Sequence, residues 1–128
     1  IHAVRAAKKE GILPGGGSAL CFLSSTLKVN TANKGEEIGV EIIKRALHSP
    51  FVRILNNAGL DPANYKDLDK WGAGVDVTDG KVKDMRKAGI IDPVLVTKSA
   101  LQNAVSVATT ILSTDCVISN IRDYESNR

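Results

Sequence analysis

The chain has 128 residues and a mass of 13.6 kDa, the size of one domain. Its 43% hydrophobic residues can build a core, which excludes wholesale disorder, and its apolar runs are too short for a transmembrane helix. The formal charge is +3, but the densest basic stretch, Lys81 to Lys87, is broken by Asp84 and aromatics make up only 4%, which argues against a nucleic-acid partner.

Ile1-His2-Ala3-Val4-Arg5 reads as helix interior and not as a signal peptide, so the chain is expected to be a piece of something longer. Apolar positions 1, 4 and 7 predict a helix that stops at Gly11. Pro14-Gly15-Gly16-Gly17-Ser18 leads into a second predicted helix, Ala19 to Leu27. A polar loop over 28–35 follows. Asn33-x-x-Glu36 then has capping-box spacing, and Ile38, Ile42, Ile43, Ala46 and Leu47 form one helical stripe. Pro50 is expected to end or kink that helix, with a further short helix from Phe51 to Ala58 closed by Gly59.

Val75 to Val82 places two β-prone runs around Asp79-Gly80, a hairpin signal. Met85 to Gly89 predicts one or two helical turns. Asp92-Pro93 reads as the N-cap and first-turn proline of the longest helix. Its stripe is Leu101, Ala104, Val105, Ala108, Ile111 and Leu112. Cys116 to Ile121 reads as a strand whose partner lies outside this chain. The sum is a mostly α fold with a small hairpin near 75–82 and a C-terminal strand near 116–121.

Little of this points to catalysis. Cys21 and Cys116 lie 95 positions apart, and His2 and His48 are isolated in sequence, so neither a disulfide scaffold nor a metal site is expected. Cys21, among Leu20, Phe22 and Leu23, reads as a small buried hydrophobe. No nucleophile–base pair is present, and no catalytic or metal residue is assigned.

Two helix starts carry more. The triple glycine before residue 18 is either a tight connection or a place where backbone N–H groups meet phosphate; it is neither a Walker loop nor G-x-G-x-x-G. Asp92 is either a helix cap or an acceptor for ribose hydroxyls, and Asp76 either a turn residue or a base or sugar contact.

The order of motifs is specific. Arg5-Ala6-Ala7-Lys8-Lys9-Glu10-Gly11-Ile12-Leu13-Pro14-Gly15-Gly16-Gly17-Ser18-Ala19-Leu20 resembles the "RAAVEEGIVPGGGxAL" motif of group I chaperonins, the Hsp60 type. Gly35 to Ile43 resembles the family's helix after its variable loop, and Asn56-Asn57-Ala58-Gly59 its "NNAG". Gly74-Val75-Asp76-Val77 is similar to "GYDA", Gly89-Ile90-Ile91-Asp92-Pro93 to "GIIDPTKV", and Ser99 to Ala104 to "SALQNA". The resemblance runs through residues 1–120 in order.

It implies one partial domain: residues 1–10 ending an intermediate segment, 11–121 forming the C-terminal half of an equatorial ATP-binding domain, and 122–128 a tail. It also implies a subunit of an ATP-dependent folding machine that forms homo-oligomeric rings. Co-chaperonin and unfolded clients would bind through domains absent here. By the resemblance Gly15 and Gly16 lie against the nucleotide, Asp76 and Val77 near adenine, Asp92 at the ribose, and Ile54 and Ile90 line the base pocket. The cofactor implied is ATP, with Mg in the complete subunit. The family's catalytic Asp would precede Ile1, and its Mg-binding Asp and "GDGTTT" segment are absent. The fragment alone is therefore expected not to hydrolyse ATP.

Val75 stands where the family carries an aromatic, the segment between Gly59 and Gly74 is short, and Trp71 is unusual. These departures support an alternative, a divergent non-ATPase paralogue acting as a structural or binding module. The expected compartment is an organelle matrix, mitochondrion or plastid, with bacterial cytoplasm as the other setting of the family.

Overall fold

The computed structural model describes residues 1–66, 68–114 and 118. The strand expected at 116–121, apart from Ile118, and the 122–128 tail lie outside the described residues. The chain divides into two compact units, Ile1–Val96 and Thr97–Arg128.

The first unit opens with helix α1, His2–Glu10. Lys8 and Lys9 sit in its last turn, where cations suit the negative end of the helix dipole. Gly11 ends it at φ +90, a conformation that glycine adopts without a Cβ clash. Strand β1, Ile12–Pro14, follows, and then helix α2, Ser18–Thr26. Helix α3, Lys34–Asn57, is capped as its sequence predicts: the Asn33 side chain accepts from the Glu36 amide at 3.0 Å. Glu36 reaches back to the amide of Ala32, one residue before the usual capping-box position.

Pro50 does not divide α3. Of the two expected outcomes, an end or a kink, the end is not seen: the helix is continuous from 34 to 57. Pro50 removes one N–H, and the residue whose carbonyl loses its partner, Ala46, is exposed, so water can take that bond. Leu47, Phe51 and Leu55, at i, i+4 and i+8, are all buried and hold the helix on both sides of the proline. The rest of the predicted stripe is not core: Ile38, Ile42 and Ile43 are exposed.

Two small antiparallel sheets complete the unit. Strands β2, Ala73–Asp76, and β3, Lys81–Asp84, form the predicted hairpin, with Asp76 opposite Lys81 and a four-residue loop, 77–80. The loop is longer than the two-residue Asp-Gly turn its sequence suggests, and only Gly80 within it has positive φ. Residues 85–89 form a hydrogen-bonded turn and not a helix. Strand β4, Ile91–Pro93, pairs with β1, placing Ile12 opposite Pro93, Leu13 opposite Asp92 and Pro14 opposite Ile91. Asp92 is therefore a strand residue and not the expected helix cap, because its backbone is committed to β1.

The core gathers around α3. Phe51 and Leu55 are almost fully buried and pack with Cys21 of α2, Leu68 and Val75 of β2. Leu60, Tyr65 and Ala73 close over them. Truncating Leu55 to Ala at such a site costs about 2–5 kcal/mol.

Helix α4 spans Val94–Leu112 and has no buried residue. In the second unit it supplies Leu101, Val105, Ile111 and Leu112, the stripe its period predicts, but all four are exposed. Helix is the dominant structure of the described residues, as expected.

Candidate functional site

The candidate residues come from four separate stretches of sequence, and the β1–β4 ladder joins two of them. Beyond the paired strands the amide of Gly15 donates to the carbonyl of Ile90 at 2.9 Å, and the amide of Val94 donates to the carbonyl of Gly11 at 3.1 Å. Gly15 and Asp92, 77 positions apart, are thereby held on one ladder.

The three glycines fit where side chains would not. A Cβ on Gly15 would lie 3.0 Å from the carbonyl of Ile90 and the nitrogen of Ile91. On Gly17, at φ +74, it would lie 2.9 Å from the Phe51 backbone. Gly16, at φ +67, lies over the hairpin: its Cβ would meet Cε of Met85 at 3.0 Å and the carbonyl of Val75 at 3.7 Å. The triple glycine is thus a tight connection, the plainer of its two readings, which leaves the phosphate reading open at the helix start it creates. Gly17 caps α2 without a side chain, so no side-chain oxygen competes for the first-turn N–H groups. Ser18 instead turns its hydroxyl back to the carbonyl of Gly15 at 2.7 Å.

The hairpin brings its own candidates. Side chains alternate along a strand, so Gly74 and Asp76 share one face of β2, and Lys83 shares that face across the ladder. Met85, fully buried, continues this face beneath Gly16 and Gly74. Val75 points the other way, into the core, at 3% exposure. Val75 is thus a packing residue.

Two carboxylates differ sharply. Asp76 is well paired: Oδ1 accepts from the amide and hydroxyl of Thr78 at 3.0 and 2.6 Å, and Oδ2 from Lys83 at 2.7 Å. The Lys83 bond, followed by those from Thr78, lowers its pKa to about 2. Asp92 is half-buried, has no hydrogen-bond partner among the described residues, and has its pKa raised by that burial. An unpaired, partly desolvated carboxylate is suited to accept from hydroxyl groups that a ligand brings.

Ile90 is half-buried at the ladder, and Val77 is the exposed first residue of the hairpin loop. Ile54 is half-buried on α3.

Sequence separation hid one pair. Cys21 Sγ lies 3.3 Å from Nδ1 of His48, whose ring tilts against Phe51 at 5.7 Å. His48 is therefore not isolated, as its sequence context suggests, because α2 packs on α3. Cys21 is buried as expected, and burial pushes its thiol pKa up, which keeps it protonated and unreactive. Among the described residues no group of three or more His, Cys, Asp or Glu could hold a metal, and no helix is long and apolar enough to cross a membrane.

A strand–glycine turn–helix tied to a distant strand, beside a hairpin, is an arrangement shared with known proteins. Residues 1–122 match the TCP-1/cpn60 chaperonin family, and the chain belongs to that family. It is 43% identical over 129 residues to the mitochondrial chaperonin homolog Hsp-60 of Caenorhabditis elegans, covering 97% of this chain and 23% of that protein. Among solved structures it is similar to a group III chaperonin in the open state, with TM-score 0.73 and 30% identity over 88% of this chain and 25% of that one. An open-state group II chaperonin monomer from Methanococcoides burtonii gives TM-score 0.74 and 30% identity, over 88% of this chain and 31% of that one. The chain thus spans about a quarter of the length of these relatives.

Proposed function

We propose that this chain supplies one wall of an ATP pocket, and part of the ring contacts, in a chaperonin subunit that assists the folding of other proteins. The observation that carries the reading is the ladder that holds Gly15 against Ile90 and Leu13 opposite Asp92, within a family member. Residues 1–10 would end an intermediate segment, and 11–121 would form the C-terminal half of the equatorial domain.

The residues present fit a nucleotide. The uncapped first turn of α2 offers N–H groups and the positive end of a helix dipole to phosphate. Asp92 offers an unpaired carboxylate to ribose hydroxyls. Ile90 and Ile54 are the apolar candidates for the base, and Asp76 with the open backbone of Val77 its polar edge. ATP, with Mg in the complete subunit, would supply the phosphoanhydride bond whose cleavage drives the folding cycle. The partners are further copies of the subunit in a ring, with co-chaperonin and unfolded clients bound by regions outside this chain. Similarity to a mitochondrial relative supports an organelle matrix over bacterial cytoplasm.

The second reading is a divergent paralogue that keeps the fold without ATPase function, to which the sequence departures at Val75 and in the short 60–73 segment point. Calorimetric titration of the complete subunit with ATP separates the two. The first expects measurable affinity that Asp92→Ala and Gly16→Val both weaken. Wild-type affinity in the Asp92→Ala subunit overturns it.

A further inference from the structure

Lys83 makes two ion pairs within the hairpin. Its Nζ lies 2.7 Å from Oδ2 of Asp76 and 2.7 Å from Oδ2 of Asp79, so one ammonium ties the end of β2 to the hairpin loop. The two carboxylates differ in surroundings: the Asp76 side chain is 13% exposed and that of Asp79 36%. Around them the loop closes on itself. The amide of Gly80 donates to the carbonyl of Asp76 at 2.8 Å, the amide of Lys81 to Oδ1 of Asp79 at 3.0 Å, and Tyr65 donates its hydroxyl to the carbonyl of Gly80 at 2.8 Å.

This arrangement changes what Asp76 can do. Both of its carboxylate oxygens already accept from Thr78 or Lys83, which leaves it less acceptor capacity for a base or a sugar than Asp92 has. What the loop leaves open is the backbone of Val77, whose N–H and C=O have no hydrogen-bond partner among the described residues. The position of that open donor and acceptor depends on the bracing of its neighbours. Without the ammonium, the two carboxylates would face one another unneutralised, and like charges at this spacing repel.

Resting on the nucleotide reading above, we propose that Lys83 is a positioning residue for the base end of the ligand: by bridging Asp76 and Asp79 it fixes the loop that presents the Val77 backbone. The bridge is partly open to solvent at Lys83 and Asp79, where ion pairs contribute little to stability, and more enclosed at Asp76. Its loss is therefore expected to move the loop more than it destabilises the fold.

The test uses the complete subunit, with Lys83→Met and Lys83→Arg compared with wild type for binding of ATP and of inorganic tripolyphosphate. The expected result is that Lys83→Met weakens ATP about tenfold, the effect of one charge-assisted contact, leaves tripolyphosphate unchanged and lowers the thermal midpoint only modestly. Lys83→Arg should restore most of the ATP affinity. Equal losses for ATP and tripolyphosphate would show a general defect and overturn the positioning role. Wild-type ATP affinity in Lys83→Met, with Asp92→Ala still impaired, overturns Lys83 alone and leaves the nucleotide reading standing. Failure of wild type to bind ATP removes both.

Discussion

Gly17 and Phe51 meet backbone to backbone: a Cβ placed on the glycine would stand 2.9 Å from both the amide nitrogen and the Cα of the phenylalanine. The entry to α2 is thus pressed onto the middle of α3, one residue after Pro50. Two separate constraints forbid a side chain here, the contact and the φ of +74.

Gly17→Ala is therefore expected to cost about 1–3 kcal/mol, from left-handed strain and displaced backbone together. Gly39→Ala provides the contrast. That glycine lies within α3, its Cβ would meet nothing within 4 Å, and its φ lies outside the left-handed range. The substitution should stabilise by about 0.5–1 kcal/mol, since glycine loses more backbone entropy in a helix than alanine. Denaturant melts of both variants check the pair; a loss of stability in Gly39→Ala contradicts the argument.

Asp92→Asn should separate stability from binding. Burial raises the Asp92 pKa, so the folded state penalises the charged form. That penalty is present above the folded pKa and vanishes as pH falls below the ordinary 3.8. Removing the charge should leave the thermal midpoint at neutral pH unchanged or slightly higher, and no helix cap is lost, because α4 begins at Val94. ATP binding by the complete subunit should weaken by about 1–3 kcal/mol. A clear fall in thermal midpoint would mean that the carboxylate is structural.

Asp76 behaves in the opposite way. Its folded pKa is depressed to about 2, chiefly by the Lys83 hydrogen bond and then by those from Thr78. The stabilisation it provides is complete above the ordinary value of 3.8 and is lost as pH falls through about 2. Carboxyl-carbon NMR should find Asp76 titrating near that value in wild type and higher in Lys83→Met. A wild-type midpoint at 3.8 refutes the bridge.

Ile42 and Ile43 on α3, and Leu101, Val105 and Ile111 on α4, present apolar side chains to solvent. Stripes of this kind promote association. The isolated chain should be helical by circular dichroism, bind a dye for apolar surface and scatter as oligomers when concentrated. Ile42→Glu combined with Val105→Glu should reduce both signals. A monodisperse monomer that ignores the dye argues against this.

What the residues announce locally, they announce well. Asn33 with Glu36, the Asp79-Gly80 loop and the period of α4 each act over a few positions, and each structure lies where its pattern falls. The ladder of Ile12–Pro14 with Ile91–Pro93 has no such signal: each strand has three residues, each carries a proline, and the partner is far away. Asp92 therefore looked like a cap, since Asp-Pro before an apolar run has that local meaning. Pro50 misled in the same direction, because a local breaker was overridden by Leu47, Phe51 and Leu55 anchored in the core. Exposure of the stripes was equally invisible, since periodicity tells which residues share a face and not what covers it. As for the site, its members are legible in the motif resemblance, whereas the side-chain bonds that occupy Asp76 and spare Asp92 depend on the folded packing.

The bond from Gly15 to Ile90 has a kinetic side. It closes a loop of about 75 residues, which costs roughly 4 kcal/mol of chain entropy before any contact repays it. The hairpin and α3 involve short separations and can form first. Joining β1 to β4 belongs to the late part of folding, so the glycine turn and Asp92 meet only after the elements around them exist. Any molecule that touches both sides of this seam would bind the closed chain and not the open one, and would draw the last step of folding toward completion by mass action.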